Sequence, residues 1–310
     1  MARIVLFKTL RAIITLLVAV TLVFLFIRLS GDPAVALAPP DAPPEVIEEY
    51  RVRLGLDQPL AVQYVNYLGG MAQGDFGYSI HTGRSAPSLF MERLPATLLL
   101  GLTALGISVV LGVTLGTVAA LRHNSVIDRL VMSFSVFAFA MPNFFFGLMV
   151  VLTGALVFGV YFGGSGGTPS LGQLLAPAAT LGLATMGSFA RFTRSSLLET
   201  LNKPFMAALS ARGVSFRRRL LRHAAPNAAI PVVTMLGLSL GGIVAGAVVT
   251  EQVFSWPGVG QLLIRSVETR DIAVLQFIVL MIALVMTVTN LLVDVLYLAL
   301  DPRMRGGRDG

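Results

Sequence analysis

Side chains able to carry out covalent chemistry are sparse in this chain. Cysteine is absent, which removes thiol nucleophiles, disulfides and sulfur-based metal sites. Histidine occurs only at His81, His123 and His223, and lysine only at Lys8 and Lys203. Neither lysine follows a glycine-rich loop of the GxxxxGKS/T form, so no phosphate cradle is encoded. No HExxH, no GxSxG and no pair of carboxylates within an apolar run is present. The polar pair Asn290 and Asp294 lies one helical turn apart near the end of the last apolar run and reads as a structural hydrogen-bonded pair. One dense cluster stands out, and it is basic. Phe205 to Pro231 reads FMAALSARGVSFRRRLLRHAAPNAAIP, with Arg212, Arg217, Arg218, Arg219 and Arg222 and no acid. Guanidinium groups with no nucleophile or base beside them supply charge rather than bond-breaking. Gly213 interrupts this stretch, Pro226-Asn227 punctuates it, and Ile230-Pro231 opens the next apolar run.

The elements that position this cluster are membrane spans. Of the 310 residues 55% are hydrophobic and 13% charged, and the mean hydropathy is +0.80, more apolar surface than a soluble domain can place. The net charge of +7 does not indicate nucleic acid, because the charges sit in loops between apolar runs. Basic Met1 to Arg11 precedes an uncharged run, Ala12 to Ile27, that reads as an uncleaved first span rather than a cleavable signal peptide. Residues 31–95 carry eight acids and four bases, the wrong balance for a cytoplasmic loop, so this region is placed outside. Within it Glu45 to Leu54 reads as a short helix after a proline cluster, and the region as a structural cap.

Further spans are predicted at Leu94–Leu121, opened by Pro95, and at Leu130–Phe158, interrupted at Met141-Pro142-Asn143. Others follow at Leu174–Ala190, Ala229–Val249 and Ile272–Leu300. Gly112-x-x-x-Gly116 and the small residues of the fifth run favour close helix approach. Pro142 and Asn143 are pathway candidates. From Arg191 to Arg222 eight bases face one acid, which places this loop in the cytoplasm. The sole tryptophan, Trp256, follows the fifth run, where the simplest reading is an interfacial anchor. The resulting organisation is a first span with its basic terminus (1–29), an extracytoplasmic region (30–95), a five-helix core (96–300) and a cytoplasmic tail (301–310). It is an all-α integral membrane protein of six spans with both termini cytoplasmic.

Ala207-Ala208, Gly213, His223 and Pro226 resemble the EAA-type loop of bacterial ABC import permeases. Arg222-His223-Ala224-Ala225-Pro226-Asn227-Ala228 with Pro231 is similar to the form found in the dipeptide/oligopeptide/nickel branch. Ala207 stands in place of the motif's acid and Leu209 in place of its second alanine, so no salt bridge from that acid is available. Glu251-Gln252-Val253-Phe254-Ser255-Trp256-Pro257-Gly258-Val259-Gly260 resembles the branch's E-x-V-F-x-W-P-G-V/L-G hallmark. MARIVLFKTLRAIITLL, LGLDQPL, VQY, GDFG-x-S and NLLVDVLYLALDPRMR are similar as well, so the resemblance covers essentially the whole chain.

What the resemblance implies is a type I ABC importer permease in the bacterial cytoplasmic (inner) membrane. It would pair with a second, homologous permease, two ATP-binding cassette subunits and an extracytoplasmic solute-binding protein. ATP and Mg would be bound by the partner ATPases, with no cofactor or metal in this chain. Ala207, Ala208, Ser210, Ala211, Arg212, Gly213, Val214, Arg217, Arg222, His223, Pro226 and Asn227 would form the ATPase-coupling element. Within it a helix up to Gly213 and a second from Val214 to Arg222 would dock on an ATPase. The arginines would meet its acidic groups or lipid headgroups. Glu251, Trp256, Pro257, Gly258 and Gly260 would form an outer gate or docking loop. Di- or oligopeptides are the expected substrate, with nickel, metal chelates or other small solutes as alternatives. An ion-coupled secondary transporter fits less well, because the deep spans are nearly free of ionisable groups.

Overall fold

A computed structural model describes residues 2–29, 34–35, 38, 41–53, 55–162 and 171–300. The helices are α1 (Ala2–Leu29), α2 (Pro44–Arg53), α3 (Leu60–Ala72), α4 (Ala86–Leu121), α5 (Val126–Ala140), α6 (Asn143–Val157) and α7 (Leu171–Leu201). They continue with α8 (Pro204–Ala211), α9 (Phe216–Arg219), a π-helical turn (Leu220–Ala224), α10 (Ala225–Gly241), α11 (Ile243–Val253), α12 (Val259–Glu268) and α13 (Ile272–Leu300). An isolated bridge between Tyr78 and Ser85 is the extent of β structure among the described residues. The tail from residue 301 and the side chain of Asp294, expected to pair with Asn290, lie outside the described residues.

Among the described residues four helical runs are long and apolar enough to cross a membrane: Phe7–Phe26, Ala86–Leu121, Phe216–Gly241 and Ile272–Val293. α5 and α6 make a fifth if the bent pair counts as one span. The run expected at Leu174–Ala190 lies within α7 and is not among these. The pattern at Met141-Pro142 suggested a kink, but α5 and α6 meet at 98°. Both Met141 and Pro142 are extended, with ψ of 126° and 129°. A proline drives the preceding residue out of the helical region, which turns a kink into a corner. Pro95 does not open a span. α4 starts at Ala86 and runs through it.

Contacts divide the chain into two compact units, one comprising residues up to Pro95 with Gln261–Leu291, the other Ala96–Gly260 with the residues from Leu292 on. In the first, α3 lies along α1. The Thr21 and Tyr64 hydroxyls share a hydrogen bond of 2.6 Å, and Phe24 packs on Tyr64 and Tyr67 with ring centroids 5.2 and 5.6 Å apart. Gln63 donates to the carbonyls of Leu56 and Gln58, tying the turn before α3 to the helix. The segment after α3 docks on the start of α13: Phe76 and Phe90 meet Phe277 edge-on at 4.8 and 5.5 Å, and Ser79 donates to Asp271 at 2.5 Å. The GDFG-x-S stretch is therefore a packing device. Its Asp75 accepts the Gly77 N–H at 3.0 Å and turns Phe76 toward this cluster.

In the second unit α7 is the central helix, packed against α5, α6, α10 and α11. α4 reaches it through the Gly112-x-x-x-Gly116 pair. A Cβ at Gly112 would lie 2.6 Å from Phe189 Cβ and 2.7 Å from the Met186 carbonyl. One at Gly116 would overlap the Ala190 carbonyl and come within 2.8 Å of Thr193 Cβ. Glycine here removes the atom that would hold two helical backbones apart. The hydroxyl of Ser108 crosses the same seam to the Gly182 carbonyl at 2.7 Å. Leu100, Ala104, Leu174, Ala178, Ala247 and Trp256 form one buried cluster, and Ala120, Leu197, Met206, Ala224 and Ala228 a second.

Candidate functional site

The basic stretch folds as a helix, a tight left-handed turn and a second helical segment. α8 starts with Pro204 in its first turn, where a missing N–H costs nothing. It ends at Arg212. The Gly213 N–H donates to the Ser210 carbonyl at 2.9 Å and the Val214 N–H to the Leu209 carbonyl at 3.1 Å, with Gly213 at φ +73°. This is the Schellman arrangement, which needs a residue free to adopt positive φ at that one position. Met206 and Ala224 are buried, as is Ala228 further on, and all three enter the cluster with Ala120 and Leu197. Ala207, Ala208, Ser210, Ala211, Arg212, Gly213, Arg217, Arg222, Pro226 and Asn227 are exposed, and Val214 and His223 are half-buried. Phe205, Phe216 and Leu221 add apolar surface, exposed by 39%, 53% and 60%.

The second half departs from the expected separate helix at Val214–Arg222. α9, the π turn and α10 form one continuous run to Gly241, so Pro226 and Pro231 lie inside helix and punctuate nothing. The π turn explains how. The Ala225 N–H reaches back five residues to the Leu220 carbonyl. This wider winding precedes Pro226, which lacks an N–H and crowds the carbonyl four residues earlier. Asn227 donates through its side chain to the His223 carbonyl at 2.7 Å. Ser196 of α7 donates to the Ala228 carbonyl at 3.0 Å and fixes α10 to the central helix.

The second candidate, Glu251 to Gly260, is built around a buried carboxylate. Glu251 is 0% exposed. Its Oε1 accepts the Thr97 hydroxyl at 2.6 Å and its Oε2 the Gly260 N–H at 2.7 Å, while Thr97 Oγ1 accepts the Val259 N–H at 2.7 Å. The Glu251 carbonyl takes the Trp256 N–H at 2.8 Å, which closes another Schellman turn with Ser255 at φ +49°. The glycines of W-P-G-V-G follow from this geometry. A Cβ at Gly258 would run into the Glu251 carboxylate, and one at Gly260 would overlap Val248 Cα. Trp256 is not an interfacial anchor. It is 1% exposed, sits in the core with Leu100 and Leu174, and donates its indole N–H to the Ala96 carbonyl at 2.9 Å. A buried indole needs such a partner. Pro257 is half-buried between them.

Two groupings were not read from the sequence. Thr97 belongs to the Glu251 cluster, and nothing around it in PATLL marks it. Asp128, 2% exposed in the first turn of α5, is gripped by Arg194 of α7 through two bonds, Nε to Oδ1 at 2.5 Å and a terminal nitrogen to Oδ2 at 2.7 Å. The Asn124 N–H adds a third bond at 2.9 Å, and His123 stands 3.4 Å away. Bidentate guanidinium–carboxylate pairing of this kind fixes orientation as well as charge. Pro142 and Asn143 form the corner between α5 and α6, away in sequence from both.

The chain belongs to the family of binding-protein-dependent transport system inner membrane components. The family model of the binding-protein-dependent transport system inner membrane component matches residues 112–306, and the N-terminal model of the same membrane components matches residues 1–101. The chain is 41% identical over 294 residues to the glutathione transport system permease protein GsiC of Escherichia coli K12, covering 94% of this chain and 95% of the relative. The GsiC proteins of Salmonella typhimurium LT2 and Shigella dysenteriae match at the same identity and coverage. The protein is thus an inner-membrane permease subunit of an ABC importer of type I fold.

Proposed function

We propose that this permease carries small peptides or glutathione-like peptides into the cell, as half of a translocation pathway completed by a second, homologous permease. Two ATP-binding cassette subunits would bind ATP and Mg and hydrolyse the nucleotide, since this sequence encodes no phosphate loop of its own. An extracytoplasmic solute-binding protein would deliver the substrate. The chain would cross the membrane six times with both termini in the cytoplasm and residues 30–95 outside. The substrate class is supported by the 41% identity to glutathione permeases over nearly the full length.

The observation that carries the coupling role is the α8–Gly213–π element. It combines exposed arginines, exposed Phe216 and Leu221, no acid, and two buried anchors on the rest of its unit. Such a surface suits an acidic groove on an ATPase. Affinity purification from the native membrane tests the assembly. Recovery of a second permease and ATPases, with ATP-dependent uptake of glutathione after reconstitution, is the expected outcome. A chain that purifies alone and moves solute without ATP refutes it.

A further inference from the structure

Two neighbouring cavities of the second unit have two polar lining residues in common. The first, about 250 Å³, is lined by Gly101, Gly242, Gly246, Ser239 and others of α4, α7, α10 and α11. The second, about 350 Å³, lies at the α5–α6 corner and is lined by Phe139, Pro142 and Ser188 among others. Asn143 and Thr185 line both.

The polar lining differs in how far its hydrogen bonds are already used. Ser108 is bonded to two carbonyls and Ser239 to the Met235 carbonyl. The Asn143 amide and the Thr185 hydroxyl make no hydrogen bond among the described residues, and both are only half-buried. They are the residues that border both spaces. The carboxamide presents a donor and an acceptor side by side, the complement of a peptide group, and the hydroxyl can serve as either. A cation touches two residues that line the second cavity: the Arg191 guanidinium lies 4.7 Å from the ring centroid of Phe139 and 3.4 Å from the Ser188 hydroxyl. That placement suits a peptide's terminal carboxylate. The cavities are at or near the lower end of small-ligand sites in size, enough for a short peptide passing from one to the other.

We infer that Asn143 and Thr185 form a substrate-reading neck that hydrogen-bonds the backbone amide of a peptide-like solute in transit. The inference rests on the import reading above and adds to it the residues in this chain that select for peptide groups after the binding protein has released its cargo.

The test uses the complete importer, with its partner permease, ATPases and binding protein, reconstituted in liposomes with ATP. Uptake of glutathione is compared with uptake of the analogue in which glycolate replaces glycine, which exchanges one amide for an ester. Any preference of the binding protein cancels when the amide-to-ester ratio is compared between wild type and variants. Loss of a neutral hydrogen bond predicts that the ratio falls by roughly threefold to tenfold in Asn143→Leu or Thr185→Val. Thr185→Ser, which keeps the hydroxyl, retains the wild-type ratio. An unchanged ratio in both variants overturns the neck. If Asn143→Leu fails to assemble, Thr185→Val decides alone. Wild-type complex that takes up neither compound refutes the peptide-import reading, and the neck falls with it.

Discussion

Replacing Glu251 by glutamine keeps the side-chain shape and removes the charge. The carboxylate accepts from two buried donors, the Thr97 hydroxyl at 2.6 Å and the Gly260 N–H at 2.7 Å. An amide offers one acceptor oxygen and an NH2 group, so it keeps one bond and turns a donor toward the other. A lost charge-assisted bond costs about 1.5–3 kcal/mol, and a donor left facing a donor about 1–3 kcal/mol more. Relief from burying a charge offsets part of this, leaving a destabilisation of about 2 kcal/mol. Glu251→Ala removes both bonds and leaves a void, at about 4 kcal/mol. The chain supplies its own reporter, because its one tryptophan lies five residues on and is 1% exposed. A local opening made 2 kcal/mol easier is populated roughly thirtyfold more. Acrylamide quenching of Trp256 in the purified full chain should therefore rise, and its emission shift to the red, in the order wild type, Glu251→Gln, Glu251→Ala. Thr97→Val should resemble Glu251→Gln, since it leaves the Val259 N–H without its acceptor. Wild-type quenching in Glu251→Ala would refute the claim that the carboxylate holds the loop.

Gly213 has φ +73° and open space where a Cβ would lie, so Gly213→Ala should cost about 1–2 kcal/mol locally and leave membrane insertion intact. Gly213→Arg adds bulk to the proposed docking face and should abolish uptake at normal expression; normal uptake counts against the coupling role. Gly116→Leu should lower thermal stability in detergent by at least about 2 kcal/mol, because the nearest atoms belong to the backbone of Ala190 and to Thr193 Cβ at 2.8 Å. Gly106→Leu, with nothing within 4 Å, is the matched control and should be near neutral. Asp128→Asn and Arg194→Gln should each destabilise by roughly 2–4 kcal/mol, and the double variant should be milder than their sum. Strict additivity would show that the pair at 2.5 Å is not coupled.

Hydropathy and charge asymmetry made the helical membrane class readable from composition, and two short motifs made the family readable. Gly213 was legible because one local conformation demands it. Glu251 was legible only as part of a motif, since nothing in EQVFSWPGVG says that its carboxylate is enclosed or that Trp256 turns inward. That outcome depends on Thr97 and Ala96, more than 150 residues earlier. Asp128 and Arg194, 66 residues apart, read as loop charges for the same reason. Pairing across a fold is a tertiary property that local spacing does not encode. Pro226 misled because a proline is a strong local signal, and the π turn that absorbs it has no sequence mark of its own.

The unbroken run from Phe216 to Gly241 has a mechanical consequence. Its 26 residues span about 39 Å at helical rise. One end carries the exposed basic surface and the other ends beside Ser239 and Gly242, which line a cavity. A rigid rod of that length, tilted by about 5° about its middle, moves each end by about 2 Å. A force applied at the basic turn therefore needs no relay of side chains to change the width of that cavity. Ser196 of α7 clips the rod at Ala228, close to its middle, so the two arms are nearly equal in length. With the fulcrum there, a push on one end becomes a sweep of about the same size, in the opposite direction, at the other.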